Sequence, residues 1–130
     1  MGEASPQAVV LDSGALIAFE RGDARMRALV EESVRTGARL VVPVGVVGQV
    51  WRDRRRQVAL RALLRGPTTT VLILDQVLAE AAGILCGRVG TSDVIDATVV
   101  LAARQQRARV ITSDPDDLRR LDSQLTIERI

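Results

Sequence analysis

The chain has 130 residues, of which 47% are hydrophobic and 26% are charged. This length suits one domain with one core and is too short for two, so we expect a single domain over residues 1–130. The composition excludes a disordered chain, and no apolar run reaches the roughly 18 residues of a membrane-spanning helix. The N-terminal residues carry an acid and no long apolar stretch, unlike a secretory signal, so we expect a cytoplasmic protein with no membrane partner.

The absence of histidine limits the chemistry that the chain can perform. The one cysteine, Cys86, lies in an apolar stretch and has no partner for a disulfide or a zinc site, so we expect a buried small residue there. Catalysis would then depend on carboxylates. All 18 basic residues are arginine, and the net charge is only +2. Arginines are concentrated in one third of the chain, at Arg52, Arg54, Arg55, Arg56, Arg61 and Arg65. Such a cluster is typical of either a solvated helix face or a phosphate-binding surface.

The first half of the chain predicts two strands and four helices. AVVLD, residues 8–12, has the apolar character of a buried parallel strand and ends in a carboxylate. Ser13 is the predicted N-cap of a first helix, and a second helix ends at Gly37. A strand over residues 38–43 follows. The next two helices are predicted over VGVVGQVWRD and RRRQVALRALLRG, with Gly66 and Pro67 as the stop signal.

The second half continues the alternation of strands and helices. A third strand covers TTTVLIL, a helix begins at Asp75, and another is capped by Thr91 or Ser92. RVITSD is a strand that ends in a carboxylate, and a short helix and a final edge strand, LTIERI, complete the chain. This alternation predicts an α/β fold with three layers, α/β/α, around a mostly parallel sheet of about five strands.

Acidic residues occur where such a sheet usually binds its ligands. Asp12 and Asp114 each end a predicted strand beside a serine, and ligands of open parallel sheets bind beyond the carboxyl ends of the strands. Asp93 and Asp96 lie three residues apart at the start of a helix, on one face. A strand-end Asp taken alone is more often a helix cap than a ligand, and Asp93 also suits a favourable partner of the helix dipole.

Several carboxylates at one point repel one another unless a cation shares them. Since only oxygen ligands are on offer, the expected cation is Mg²⁺ or Mn²⁺, which can activate water and stabilise charge on a phosphate. A phosphodiester substrate would also provide a ligand for the arginines.

The sequence resembles the PIN-domain ribonucleases and, within them, the VapC toxins of bacterial toxin–antitoxin pairs. The resemblance covers essentially the whole chain and rests on VVLDSGALIAFERGD, VPVGVVGQVW and SDVIDATVVLAARQQRARVITSDPDDL, in that order. It implies a PIN-like fold, a Mg²⁺- or Mn²⁺-dependent endoribonuclease, an RNA substrate, a homodimer, and a cognate antitoxin that inserts a tail into the acidic pocket.

The same resemblance implies the site residues. Asp12, Asp96 and Asp114 are similar to the family's metal-binding acids, and Ser13 to the small hydroxyl residue after the first acid. Further residues implied near the metal are Asp93, Ser113, Asp116 and Asp117, and those expected to hold the RNA backbone are Arg52, Arg54, Arg55 and Arg56.

Gln49 stands where the family usually has a glutamate. An amide can offer its carbonyl oxygen to a metal or water but contributes no charge. The site then binds metal with fewer charges and help from Asp93, or uses Asp53 on the same predicted helix face, or has weakened catalysis. Gln49 can also be a structural amide that bonds a backbone group. Trp51 suits either core packing or the anchoring of a protein partner.

Three alternative functions remain open at this stage. A PIN-like module that binds RNA or protein without cleavage is favoured by Gln49. A receiver-type phosphoacceptor also gathers acids at strand ends, but it needs a lysine, and the chain has none. A haloacid-dehalogenase-like phosphatase needs a second acid two residues after the first, where this chain has Gly14.

Overall fold

A parallel sheet forms the centre of the structure. The computed structural model describes residues 7–130, which form five strands and seven helices. The strand order is β3-β2-β1-β4-β5, and every neighbouring pair is parallel. The strands are β1 (Val9–Leu11), β2 (Leu40–Pro43), β3 (Thr69–Leu72), β4 (Arg109–Thr112) and β5 (Ile127–Arg129). The predicted α/β fold is therefore confirmed, and the sheet is parallel throughout.

The central strands are buried on both faces, which is why their sequences are continuous apolar runs. All three residues of β1 and all four of β2 are buried, and Val10 pairs with Val41 on one side and Val110 on the other. Helices cover the two faces and give three layers. They are α1 (Ser13–Glu20), α2 (Ala24–Thr36), α3 (Val44–Val50), α4 (Val58–Leu64), α5 (Gln76–Val89), α6 (Val94–Gln106) and α7 (Pro115–Leu121).

The core draws on nearly every element. Leu16, Met26, Leu60 and Leu118 are at most 1% exposed, although they come from four different helices. Cys86 is buried at 4% exposure, as expected for a small apolar residue. Within residues 7–130, the helices are all too short or too polar to cross a membrane.

Two predicted helices are shorter than expected. Helix α3 ends at Val50 and α4 begins at Val58, so residues 51–57 form a loop, where helix was predicted. Trp51 has an extended backbone, with ψ at 126°, and this breaks the helix. Asp53 is therefore in the loop, and the prediction that it shares a helix face with Gln49 is wrong.

The predicted N-caps of two helices are also wrong by one or two residues. Asp12, and not Ser13, caps α1, because its Oδ1 accepts the Ala15 N–H at 3.2 Å. Asp93 caps α6 by accepting the Asp96 N–H at 2.9 Å, where Thr91 or Ser92 was expected. A serine or threonine beside an aspartate leaves the sequence ambiguous, since both residue types cap helices well. The predicted start of α5 at Asp75 and the end of α2 at Gly37 are confirmed.

Candidate active site

The crevice between the carboxyl ends of β1 and β4 is the place where this topology favours a ligand. From β1 the chain passes to β2 and β3 on one side and then crosses to β4 and β5 on the other. The connections after β1 and β4 therefore diverge and leave a crevice, as at the switch point of other open α/β sheets. Asp12 follows β1 directly, and Asp114 follows β4 after Ser113.

Asp12 lies at the bottom of this crevice, only 8% exposed. Burial raises the pKa of its carboxyl group, and the charge of Asp114 raises it further. Hydrogen bonds from the Thr112 hydroxyl and from the Ala15 and Gly14 amides lower the pKa of Asp12, but they do not cancel the effect of burial. The carboxylate is thus held in place by donors in surroundings that disfavour its charge.

Thr112 links the two strand-end acids, a role that the sequence pattern did not assign. This fully buried threonine accepts the Asp114 N–H with its Oγ1 at 2.9 Å and also hydrogen-bonds the Asp12 carboxyl group. A hydroxyl group can do both, since it has one donor and two acceptor sites. The signal for this role was the threonine two residues before Asp114 in the motif T, any residue, D.

Asp96 is the acid whose ionisation the fold disfavours most clearly. Burial, the charge of Asp93 and a hydrogen bond with Asp93 raise the pKa of Asp96 to about 7, with smaller contributions from Asp117 and Asp12. Asp93 meanwhile accepts the Asp96 backbone N–H and so fixes the first turn of α6. The charge of Asp12, at the end of β1, thus reaches Asp96 in the first turn of α6, although it makes the smallest of these contributions.

Asp117 joins the group from α7. A hydrogen bond with Asp114 and the charge of that residue raise the pKa of the exposed Asp117 carboxyl group, while Arg120 lowers it. A cavity of about 220 Å³ is lined by Asp93, Asp96, Asp117 and Arg120, together with Val89, Thr91 and Leu121. Arg120 is the arginine that lines this cavity beside the acids, and the sequence pattern did not single it out.

The structure thus brings together five of the predicted acids, Asp12, Asp93, Asp96, Asp114 and Asp117. Ser13 is the first residue of α1, and Ser113 lies against Gly14 at the edge of the crevice. Asp116 is exposed in the first turn of α7. Gln49 is exposed on the last turn of α3 and is not among the residues that line the 220 Å³ cavity.

The donor chemistry of these acids suits a hard divalent cation. All the available ligands are oxygens, and burial together with neighbouring carboxylates raises the pKa values of Asp12 and Asp96, an effect that a bound cation would reverse. Among residues 7–130, however, no three acidic or thiol side chains lie close enough to ligate a single ion. This arrangement is compatible with Mg²⁺, which proteins often hold through one or two carboxylates while it keeps several waters.

The predicted RNA-binding arginines lie on the loop between α3 and α4. Arg52, Arg54, Arg55 and Arg56 are all exposed. They were expected on a helix and instead lie in the loop over residues 51–57. The Arg52 guanidinium group donates to the Gly48 and Trp51 carbonyl oxygens at 3.1 and 2.7 Å.

Trp51 lies half-buried in an apolar groove between α3 and α4. The groove measures about 350 Å³ and is lined by Val47, Gly48, Trp51 and Leu64, with Arg61 and Arg65. Its indole packs against the core and also forms part of an open surface, so the structure retains both predicted roles of Trp51.

A sequence model of the PIN domain family matches residues 9–124, which include all five clustered acids. The chain belongs to the PIN domain family. No curated protein sequence matches it significantly. As a member of this family, the chain combines the predicted strand-end acids with the fold that was expected for them.

Solved structures with the same fold include several toxin–antitoxin proteins. VapC20 of Mycobacterium tuberculosis, a toxin that cleaves the sarcin-ricin loop, has a TM-score of 0.69 at 18% identity, over 94% of this chain and 99% of that one. VapBC2 of Rickettsia felis, bound to a promoter DNA fragment, has a TM-score of 0.69 at 12% identity, over 95% of this chain and 98% of that one. VapBC-1 of nontypeable Haemophilus influenzae has a TM-score of 0.65 at 15% identity, over 95% of this chain and 98% of that one. At these identities the likeness shows the fold of the chain.

Proposed function

We propose that this PIN domain is a Mg²⁺- or Mn²⁺-dependent endoribonuclease of the VapC type, which hydrolyses RNA phosphodiesters. The observation that carries the proposal is the pair Asp12 and Asp96, two partly desolvated carboxylates whose pKa values are raised mainly by burial and, at Asp96, also by the charges of Asp93, Asp117 and Asp12. Such a cluster costs the fold free energy without a cation, and positions with this property are enriched in functional sites.

Each acid has a distinct proposed role. In this proposal Asp12, Asp96 and Asp114 bind the metal between them, one or two directly and the rest through its waters, with Asp93 and the Gln49 carbonyl oxygen as auxiliary groups. A divalent ion bound there would supply activation of water and stabilisation of the charge that develops on the phosphate. Thr112 and Ser113 support the two strand-end acids, and Asp117 hydrogen-bonds Asp114.

The exposed arginines of the 51–57 loop supply the proposed contacts to RNA. Arg52, Arg54, Arg55 and Arg56 would bind backbone phosphates, which position a nucleic acid without reading its sequence. The chain has one tryptophan, one phenylalanine and no tyrosine, so base stacking contributes little to this proposal.

Two protein partners complete the proposal. A cognate VapB-like antitoxin fits the toxin–antitoxin complexes among the structural neighbours. A homodimer is supported by exposed apolar residues near the end of β3 and on α5, where Ile73 is 80%, Val77 is 77% and Ile84 is 59% exposed. Large apolar side chains exposed close together are typical of protein contacts. We propose a cytoplasmic site of action for this pair of proteins.

A second candidate function is binding without cleavage. The observation in its favour is Gln49, which is neutral and exposed where a glutamate was expected. The site would then have lost one negative charge and, with it, part of its affinity for a divalent cation.

Replacement of one central acid tests the proposed chemistry. Asp96→Asn keeps the size of the side chain and removes its charge, so metal-dependent cleavage of RNA should be lost while the melting temperature is kept. Asp75→Asn is a matched control, because Asp75 only caps α5 and asparagine caps equally well. Full cleavage by a well-folded Asp96→Asn variant would refute the assignment of Asp96.

A further inference from the structure

The loop that carries the exposed arginines is organised around one buried side chain, Gln57. This residue is 8% exposed and lies immediately before α4. Its Oε1 accepts the Arg52 N–H at 2.7 Å and the Asp53 N–H at 2.9 Å. Its Nε2 donates to the Val50 carbonyl oxygen at 2.8 Å and to Glu20 Oε1 at 3.2 Å.

These four bonds use the whole hydrogen-bonding capacity of a primary amide, which has two donors and two acceptor sites. They join the last residue of α3 to the first residues of the loop and tie both to the end of α1. A buried network in which every member is satisfied gives a rigid local structure. The path of the chain out of α3 is therefore fixed by a single side chain.

The tip of the loop is ordered by Asp53, whose position Gln57 sets. Asp53 Oδ1 accepts the Arg55 N–H at 2.9 Å, and the Asp53 carbonyl accepts the Arg56 and Gln57 amides at 3.2 and 3.1 Å. A loose ion pair of 3.6 Å joins Asp53 to Arg56. The exposed side chains of Arg54, Arg55 and Arg56 thus extend from a backbone that is already hydrogen-bonded in the free protein, while the Arg52 guanidinium group donates to the Gly48 and Trp51 carbonyl oxygens.

A loop ordered in advance binds better than one that must become ordered on contact. Ordering the backbone of a flexible loop costs conformational entropy, and a loop that is rigid in the free protein meets this cost during folding and not during binding. A complete hydrogen-bond network beneath exposed arginines is expected if a ligand requires those arginines at fixed positions.

We propose that Gln57 is a positioning residue for RNA, which holds the backbone beneath Arg52, Arg54, Arg55 and Arg56 in the geometry that the RNA backbone meets. The inference rests on the proposed ribonuclease function. Glutamine is required because a glutamate at this position would lose both donors and would place a second carboxylate against Glu20.

The test compares Gln57→Glu, Glu20→Gln and the double variant with the native chain in RNA cleavage. Gln57→Glu should raise KM for RNA about tenfold with little change in kcat, because the loop does not contribute to the reacting atoms. The double variant should recover part of this loss, since the amide introduced at position 20 can donate to the carboxylate introduced at position 57. Hydrogen exchange at the Arg52 and Asp53 amides should be faster in Gln57→Glu and slower again in the double variant.

Ser33→Ala is the control for a general loss of stability. Ser33 is 2% exposed and bonds Ala38 and Thr68 on other elements, away from the arginine loop. Its replacement should lower the melting temperature without changing KM, when all assays are run well below the lowest melting temperature.

The two proposals fail in different ways. If the native chain cleaves RNA and Gln57→Glu has the native KM, the positioning role of Gln57 is wrong and the ribonuclease proposal stands. If the native chain does not cleave, the ribonuclease proposal is wrong, and the Kd for the same labelled RNA replaces KM as the test of Gln57. An unchanged Kd in Gln57→Glu, or no RNA binding by the native chain, overturns the role of Gln57.

Discussion

Gly14 and Ser113 are in such close contact that no side chain fits between them. A Cβ atom on Gly14 would lie 2.8 Å from the Ser113 Cβ and 2.9 Å from its backbone nitrogen. Gly14 is the second residue of α1, two residues after Asp12, and Ser113 precedes Asp114, so this contact limits how closely the two strand-end acids approach. The residue that argued against a dehalogenase-like phosphatase in the sequence therefore has a structural role here.

Gly14→Ala should lower both stability and activity. Because one of the overlapping atoms belongs to the backbone, α1 and the end of β4 must move apart, at a cost of about 1–3 kcal/mol. The displacement would separate Asp12 from Asp114 and weaken metal-dependent cleavage. Denaturant unfolding and a cleavage assay measure the two effects.

Gly87→Ala provides the matched control for that substitution. A Cβ on Gly87 meets no atom within 4 Å, and the residue lies inside α5. Alanine favours a helix over glycine by about 0.5–1 kcal/mol, so this variant should be more stable. A Gly14→Ala variant as stable as Gly87→Ala would show that the crevice adapts freely.

Thr112→Val should destabilise the protein and disturb the crevice. Valine has the shape of threonine but leaves the Asp114 N–H without its acceptor and removes a donor from Asp12. An unsatisfied buried group costs about 1–3 kcal/mol, and the pKa of Asp12 should rise further. Thr112→Ser keeps the hydroxyl group and should retain cleavage; equal activity of the valine variant would contradict this role of Thr112.

The metal-free protein should lose stability as the pH rises from about 4 to about 7. The fold raises the pKa of Asp96 from 3.8 to about 7, so the folded state binds more protons than the unfolded state in this range. The free energy of unfolding then falls with increasing pH. Asp12 and Asp117 shift in the same direction. Melting temperatures in EDTA at pH 5 and pH 8 test this, because the chain has no histidine to titrate between them.

Asp96→Asn should flatten that pH dependence, and Mg²⁺ or Mn²⁺ should raise the melting temperature of the native chain more at pH 8 than at pH 5. A ligand that binds only the folded state stabilises it, and the ion competes with protons for the carboxylates. The same pH dependence in native and Asp96→Asn chains would place the titrating group elsewhere.

Neutral replacement of the exposed arginines should weaken RNA binding in a salt-dependent way. Changing Arg54, Arg55 and Arg56 together to glutamine should reduce the slope of log affinity against log salt by up to about 2, since each phosphate contact contributes about 0.7 for a single strand. Arg35→Gln, on the exposed end of α2, should leave the slope unchanged. The cleavage rate at saturating RNA should be kept in both variants.

The sequence predicted the sheet, the order of its elements and the acids at its edge, because these depend on local signals. Apolar runs such as AVVLD mark buried parallel strands, and an aspartate that ends such a run lies at the ligand-binding edge. The roles of the site residues stay predictions.

The loop over residues 51–57 could not be predicted, because side-chain hydrogen bonds hold it. Its residues have good helix propensity, whereas Gln57 bonds Val50, Arg52 and Asp53 nearby and Glu20, 37 residues away. The role of Thr112 was hidden for a related reason, since its hydroxyl group connects Asp12 and Asp114, which come from different strands.

Cleavage of a labelled pool of structured RNAs by the purified protein, freed of any antitoxin, tests the central claim most directly. Native, Asp12→Asn and Gln49→Glu chains would be compared with Mg²⁺, with Mn²⁺ and with EDTA. We predict metal-dependent cleavage by the native chain that is lost in Asp12→Asn, by a factor on the order of 100 to 1,000. Cleavage by Gln49→Glu but not by the native chain would contradict the claim and show that the amide has disabled the site.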